Sequence, residues 1–351
     1  MVTRAKRAKR ISTIDLLRFM AALMVATNHW SLEVGSERAQ QIYDIPILGR
    51  LVQDGAFGVP IFFMISGFVI IGAAQRYNSV EFIFARFNRL FPGLVICMLI
   101  ILPVGDRFIT SWPTPIPSFF NSIFLTWTVT GTSPLASQLW TLLVEIKFYA
   151  LVAFVLLLST KLLKEVRGII LMLSLWQTTL LILQNTQTEF SAALIPYLNF
   201  QGHSNLFATG ICIYLLTEAK IKFTDENLLI CLATLYFLYQ IFVIGSYSFI
   251  QNTYLITVSL LILFSKYLNL GKRFQLISYW LGLSSYLIYL LHEHLGLAFI
   301  LQIRTHISQN IYIVFVLGSI SITVFSVLLA TLVEKPTQKY LTNQFAKVYP
   351  R

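Results

Sequence analysis

The sequence predicts an all-α polytopic membrane protein with about ten transmembrane helices and both termini in the cytoplasm. Of its 351 residues, 56% are hydrophobic and 12% are charged, about half of the charged share of an ordinary globular protein. A mean hydropathy of +0.73 is too high for a surface that faces water. Apolar runs that approach the roughly 20 residues of a spanning helix recur along the chain. These observations exclude soluble, disordered and nucleic-acid-binding proteins, although the pI is near 9.6.

The predicted spans follow one another with short polar connections. A basic N-terminal segment precedes the first apolar run, Ile14 to Trp30, which lacks a cleavage site and is therefore predicted to be a retained helix. The segment 117–130 follows three prolines and is short, which leaves it open as an interfacial or re-entrant segment. The other predicted spans are 56–75, 90–105, 138–158, 167–184, 204–217, 228–245, 250–265, 279–302 and 311–333.

The distribution of basic residues predicts the orientation. With the N-terminus in the cytoplasm, 20 of the 26 Lys and Arg residues fall in cytoplasmic segments and 4 in outer loops, as the positive-inside rule requires. Residues 1–335 are expected to form one transmembrane domain, followed by a short cytoplasmic tail, 336–351, without a fused extracytoplasmic hydrolase-like domain. The expected location is a cell membrane, with the bacterial inner membrane favoured.

Ionisable residues within the first span are the leading functional candidates, because polar groups are costly in hydrocarbon. Arg18 and His29 are eleven residues apart, so they share one helix face about 16 Å apart along the axis. Glu33 lies one turn beyond His29, where it can orient the ring and favour the tautomer that acts as a base. The alternative is a snorkelling Arg18 and a His29 at the outer interface.

Paired guanidinium groups follow the second span. Arg86 and Arg89 are three residues apart on one face, and each can donate two parallel hydrogen bonds to phosphate oxygens. Ordinary positive-inside topology with anionic lipid contacts explains them equally well. Ser66, beside Gly67 in the span before them, lets another helix or a ligand approach closely, although tight packing is the more common reason for such a pair.

A carboxylate also lies inside the fourth span. Glu145 follows Trp140 by five residues, and Tyr149 lies one turn further on. This carboxylate needs a partner from another helix, and Arg18 or His29 would serve. The ninth span carries His292-Glu293-His294, whose histidines point to opposite sides of a helix. We therefore expect no metal site there and place His292 at the lining of a cavity.

Together these residues resemble the acyltransferase 3 family of membrane acyltransferases. The motifs occur in the family's order over nearly the whole chain. They are Arg18-(ten residues)-His29, Gly58 to Phe68, Arg86-x-x-Arg89, Trp140-x-Leu142-x-x-Glu145 with Phe148-Tyr149, Ser285 to His292, and Glu334-x-Pro336.

The resemblance implies an acyl-CoA donor substrate, most often acetyl-CoA, used from the cytoplasm without a permanently bound cofactor. It assigns Arg86 and Arg89 to the donor's phosphates, with Arg18 at the cytoplasmic mouth. It makes His29 the catalytic residue, as general base or transient acyl carrier, and gives Glu145 the role of shaping the site or orienting His29. Supporting residues are Asp15, Glu33, Ser66, Trp140, Tyr149 and His292.

The resemblance further implies O-acylation of a cell-surface sugar such as lipopolysaccharide, peptidoglycan or exopolysaccharide, with small hydroxyl-bearing acceptors left open. The expected partners are therefore the acyl-CoA donor, a glycan or other acceptor, and membrane lipids, with no nucleic acid and with a homodimer left open. The alternative function is a secondary transporter of a small anion or sugar. A transporter is expected to have broken helices in paired positions and internal repeats, and the sequence displays neither.

Overall fold

The structure is a computed structural model that describes residues 10–108, 114–186, 188–218, 224–244, 247–268 and 271–349. It is 86% helical, and no strand occurs in these ranges, which confirms the all-α prediction. Seven of the basic residues used to predict the orientation lie outside the described residues: Arg4, Lys6, Arg7, Lys9, Lys220, Lys222 and Arg351.

The described ranges contain seventeen α-helices. They are α1 Ser12–Glu33, α2 Ser36–Tyr43, α3 Leu48–Gln53, α4 Gly58–Ala74, α5 Ser79–Phe108, α6 Pro115–Phe124, α7 Trp127–Thr130, α8 Leu139–Leu158, α9 Val166–Thr186, α10 Glu189–Leu198, α11 Ser204–Glu218, α12 Asp225–Tyr239, α13 Phe249–Leu263, α14 Lys272–Leu291, α15 Leu297–His306, α16 Ile311–Leu329 and α17 Lys335–Val348. Three 3₁₀ turns, Gly55–Phe57, Leu162–Lys164 and Phe200–Gly202, and three π-helical turns, Gln240–Ile244, His292–Gly296 and Ala330–Glu334, lie between them.

Every predicted span coincides with a helix. Within the described ranges, seven helices are long and apolar enough to cross a membrane, so the chain is a multi-pass membrane protein. The remaining three predicted spans correspond to α1, α11 and α13, of which the last two have 15 residues each. Segment 117–130 falls on the short helices α6 and α7. The number of crossings and the side of the termini stay predictions.

Apolar side chains cover the outer faces of several helices. In α12, only 22% of the apolar window is buried. Exposed residues recur every three or four positions on this helix: Leu228, Leu232, Leu235, Tyr236 and Tyr239. This spacing places them on one face, as expected for a helix side that contacts lipid rather than water.

The chain divides into two compact units, and each has its own central helices. Unit 1 comprises Met1–Gly58, Phe87–Leu139 and Asn269–Arg351, and unit 2 comprises Val59–Arg86 and Trp140–Leu268. In unit 1, α1 packs mainly against α14. The backbones come so close that a Cβ added at Gly282 would lie 2.5 Å from the Cβ of Asp15.

Two glycines set the closest helix contact of unit 2. A Cβ at Gly67 of α4 would lie 2.1 Å from the carbonyl oxygen of Phe207, and a Cβ at Gly210 of α11 would lie 2.0 Å from that of Met64. Small residues allow such approach between membrane helices. Because the opposing atoms belong to the backbone, a rotamer change cannot relieve the clash.

We predict that Gly67→Ala and Gly210→Ala each lower the apparent melting temperature of the purified protein. In a helix, alanine is favoured over glycine by about 1 kcal/mol of intrinsic propensity. Overpacking costs roughly 1–3 kcal/mol or more, so we expect each substitution to lower the free energy of unfolding. Gly271→Ala is the control, because nothing lies within 4 Å of its added Cβ. Thermal unfolding in detergent checks this prediction, and melting of both helix variants at the parent temperature would contradict it.

Candidate active site

The structure pairs two histidines in unit 1. His29 is half-buried in α1, and its Nδ1 lies 3.3 Å from Nε2 of His292. The ring centroids are 4.9 Å apart with planes inclined by 58°. His292 is fully buried, and its Nδ1 lies 2.6 Å from the carbonyl oxygen of Tyr289. The sequence marked both histidines as site residues, and the structure brings them into contact.

Trp30 fixes the backbone next to this pair. The indole Nε1 donates a hydrogen bond of 2.9 Å to the carbonyl of His292, and the side chain is fully buried. Here the long helix changes to π geometry over His292–Gly296, a local irregularity that is common at functional sites. Gly296 admits the tryptophan, since a Cβ there would lie 2.8 Å from Cζ2 of Trp30.

A loop before α8 caps the same turn. The Ser137 hydroxyl donates to the Glu293 carboxylate at 2.9 Å, and the Ser137 amide donates to it at 3.2 Å. The Gln138 side-chain amide donates to the carbonyl of Leu290 at 2.7 Å. These side-chain and backbone donors connect the loop to the end of α14 and to the π-helical turn, which steadies the His292 segment.

Arg89 forms an ion pair with a buried carboxylate in unit 1. Its Nη1 lies 3.2 Å from Oε1 of Glu334, whose side chain is only 1% exposed. The guanidinium also lies 5.3 Å from the ring centre of Tyr286. Gly93, one turn along α5, leaves room for both partners, because its added Cβ would lie 2.8 Å from Tyr286 and 3.3 Å from Glu334.

The sequence marks Glu334 only as part of a family motif and predicts no role for it. The structure buries this carboxylate against a cation. The available signal was an acidic residue immediately after a long apolar run, at a position that also matches a family motif.

Glu145 has its partners in unit 2. The Ser66 hydroxyl donates to its Oε1 at 2.6 Å, and the Tyr149 hydroxyl donates to the same oxygen. The Arg86 guanidinium lies 5.9 Å from the ring centre of Tyr149 and 5.7 Å from that of Phe82. Four predicted site residues therefore meet in one cluster, while the suggested pairing of Glu145 with Arg18 or His29 stays a prediction.

Arg86 retains unused hydrogen-bonding capacity. Its Nε is buried, and it has no hydrogen-bond partner within the described part of the chain. A buried, charged donor without an acceptor is costly, so Nε of Arg86 remains available to an anionic ligand.

Aromatic rings of unit 2 also surround Trp140. The ring of His203 lies 5.8 Å from that of Trp140 and 4.9 Å from that of Phe63, measured between centroids. His203 precedes α11, and burial lowers the pKa of its imidazole, which keeps it neutral at pH 7. The sequence analysis did not single out this histidine, since one histidine in a polar connection is a weak signal.

The remaining predicted residues lie along α1. Asp15 is buried, and Arg10 donates to it, with 3.0 Å between Nη2 and Oδ1. Arg18 is half-buried, and Glu33 is exposed at the last position of the helix. The continuous run of α1 confirms that Arg18 and His29 belong to one helix, whereas the orienting role of Glu33 stays a prediction.

Residues 11–334 match the acyltransferase 3 family, which is described as an acyltransferase domain. The chain belongs to the acyltransferase 3 family. No curated protein and no solved structure matched the chain in the corresponding searches. The family match covers every residue placed above except Arg10, and it identifies the chain as a membrane acyltransferase.

Among the described residues, no group of three or more His, Cys, Asp or Glu side chains is arranged to hold an ion. The polar groups that the structure brings together there form hydrogen bonds, an ion pair and cation–aromatic contacts.

We predict that Arg89→Leu destabilises this acyltransferase by roughly 3–5 kcal/mol, because it leaves Glu334 buried without its cation. The double variant Arg89→Leu/Glu334→Leu is expected to recover most of this loss, since it removes both charges. Arg86→Leu serves as the control, because its described contacts are with aromatic rings. Denaturant unfolding in a lipid–detergent mixture measures all three, and a double variant no more stable than Arg89→Leu would contradict the prediction.

Proposed function

We propose that this membrane acyltransferase moves an acetyl group from cytoplasmic acetyl-CoA to a hydroxyl of an extracytoplasmic cell-surface sugar. The observation that carries the proposal is the position of His29. This half-buried histidine lies on the same helix as Arg18, and its Nδ1 contacts His292. The family match supports acyl transfer. An imidazole that has one nitrogen anchored and is only half-buried is suited to proton transfer.

The chemistry needs a base and then an acid. As the hydroxyl oxygen attacks the thioester carbonyl carbon, the free nitrogen of His29 takes the hydroxyl proton. The carbon–sulfur bond of the tetrahedral intermediate then breaks, and His29 donates that proton to the departing thiolate of CoA. The products are an O-acetyl ester and CoA, and His29 returns to its starting state. General acid–base assistance of this kind contributes about 10²- to 10⁴-fold to a rate.

Arg86 is the leading candidate for the donor's phosphates. Its buried Nε fits a phosphate oxygen, to which a guanidinium can donate in parallel with a second nitrogen. Arg89 already neutralises Glu334. We therefore assign it a structural role and a weaker contact with the phosphates of the donor. Arg18 remains the third proposed contact, at the cytoplasmic end of α1.

A cell-surface sugar is the proposed acceptor, because donor and acceptor would then lie on opposite sides of the membrane. Acetyl-CoA is strongly anionic and does not cross a bilayer, whereas surface glycans carry hydroxyls on the other side. About three turns of one helix separate Arg18 from His29, so α1 can connect a donor-binding end with an acceptor-binding end. A bacterial inner membrane is the proposed location on the same argument.

The experiment uses membranes that contain the protein, given acetyl-CoA labelled in the acetyl group and crude cell envelope as acceptor. We expect release of CoA and label in a glycan or lipid-linked glycan fraction, and we expect His29→Ala to abolish both while its melting temperature is kept. Equal release by His29→Ala and the parent protein would contradict the catalytic role. Transport of intact acetyl-CoA or sugar without CoA release would support the transporter instead.

The proposed phosphate contact makes a separate prediction. Arg86→Ala should raise KM for acetyl-CoA by roughly 10- to 100-fold, the effect of losing a charge-assisted hydrogen bond. It should leave KM for S-acetylpantetheine, a donor without phosphates, near the parent value. Arg76→Ala is the matched control, because this exposed arginine belongs to the same unit. Equal increases of KM for both donors would rule out a phosphate contact.

A further inference from the structure

We infer that His292 is a positioning residue, which holds His29 with its proton on Nδ1 and so leaves Nε2 as the nitrogen that works on substrate. The inference rests on the proposed function, because the tautomer of His29 matters to catalysis only if this ring moves a proton. It follows from two successive hydrogen bonds, from His292 to Tyr289 and from His29 to His292. Each of them allows only one direction of donation.

The first contact fixes the proton of His292. Its Nδ1 lies 2.6 Å from the carbonyl oxygen of Tyr289, and a carbonyl oxygen only accepts. Nδ1 of His292 must therefore carry a hydrogen. In a neutral imidazole the other nitrogen then has a lone pair and no hydrogen, so Nε2 of His292 is an acceptor.

The second contact passes this constraint on to His29. Nε2 of His292 lies 3.3 Å from Nδ1 of His29, and an acceptor on one side requires a donor on the other. Nδ1 of His29 therefore carries the hydrogen, and Nε2 has the free lone pair. The opposite direction would require His292 to be an imidazolium, which is costly for a ring that is 0% exposed.

The surroundings keep His292 in this orientation. Trp30 holds the carbonyl of His292, and the π-helical turn between α14 and α15 begins at this residue. The nearby titratable groups are Glu293 and His294 in that turn, Tyr289 in α14 and Glu33 in α1. The carboxylate of Glu293 accepts from Ser137, and Nε2 of His292 contacts Nδ1 of His29.

The decisive experiment compares His292→Gln with His292→Asn. The longer glutamine amide can place an oxygen near the position of Nε2 and accept from His29, whereas the asparagine amide reaches only the position of Nδ1. Both are neutral polar amides, so they are matched in their cost of burial. His292→Phe adds a ring of similar shape without any acceptor.

We expect kcat to fall by about 10²-fold or more in His292→Asn and His292→Phe, since a lost tautomer partner reduced kcat by about 10⁴ in the serine-protease triad. His292→Gln should stay within about tenfold of the parent, and KM for acetyl-CoA should not change in any variant. A purely structural role predicts the reverse order, with the apolar phenylalanine the best tolerated. If His292→Phe does not fold, the two amides decide the question alone.

A readout independent of transfer separates this inference from the proposed function. Nitrogen NMR of the histidine rings reports which nitrogen of His29 carries the hydrogen, without any transfer reaction. We expect the hydrogen on Nδ1 in the parent and in His292→Gln, and a mixture of the two tautomers in His292→Asn. The same tautomer pattern in all three proteins would overturn the inference even if transfer depends on His29. If the expected tautomer pattern is found but no CoA is released, the proposed function alone is overturned.

Discussion

Polar side chains inside an apolar helical protein are tolerated where other protein groups replace the water they have lost, and this constraint organises both units. In unit 1, Glu334 is neutralised by Arg89, and His292 contacts a backbone carbonyl and His29. In unit 2, Glu145 receives hydrogen bonds from two hydroxyl groups. Each partner lies on a different helix or a different turn, so the groups that support chemistry also determine how the helices pack.

Aromatic rings complete this replacement of water. The guanidinium groups of Arg86 and Arg89 lie 5.9 and 5.3 Å from the centres of tyrosine rings, a geometry that stabilises a desolvated cation. Tyr149 and Tyr286 thus contact the two arginines of the candidate site.

Local sequence properties were sufficient to predict the helices, whereas the roles of the site residues stay predictions. Hydropathy and helical period depend on neighbouring residues, so the ten predicted spans each correspond to a helix, and Arg18 and His29 are placed on one of them. The partners were not predictable, because they are distant in sequence. His29 and His292 are 263 residues apart, and Arg89 and Glu334 are 245 apart. No local pattern encodes such pairings, and the π-helical turn that presents His292 has no simple sequence signature.

The central claim is that a buried histidine sets the protonation of the half-buried one. The most direct measurement is nitrogen NMR of the protein in lipid nanodiscs, with ¹⁵N in the histidine rings and the signals of His29 assigned by comparison with His29→Ala. The account predicts a His29 signal pattern with hydrogen on Nδ1 and a bare Nε2 at neutral pH, coupled to His292 across the hydrogen bond. A His29 that carries its hydrogen on Nε2 in the neutral state would contradict the account.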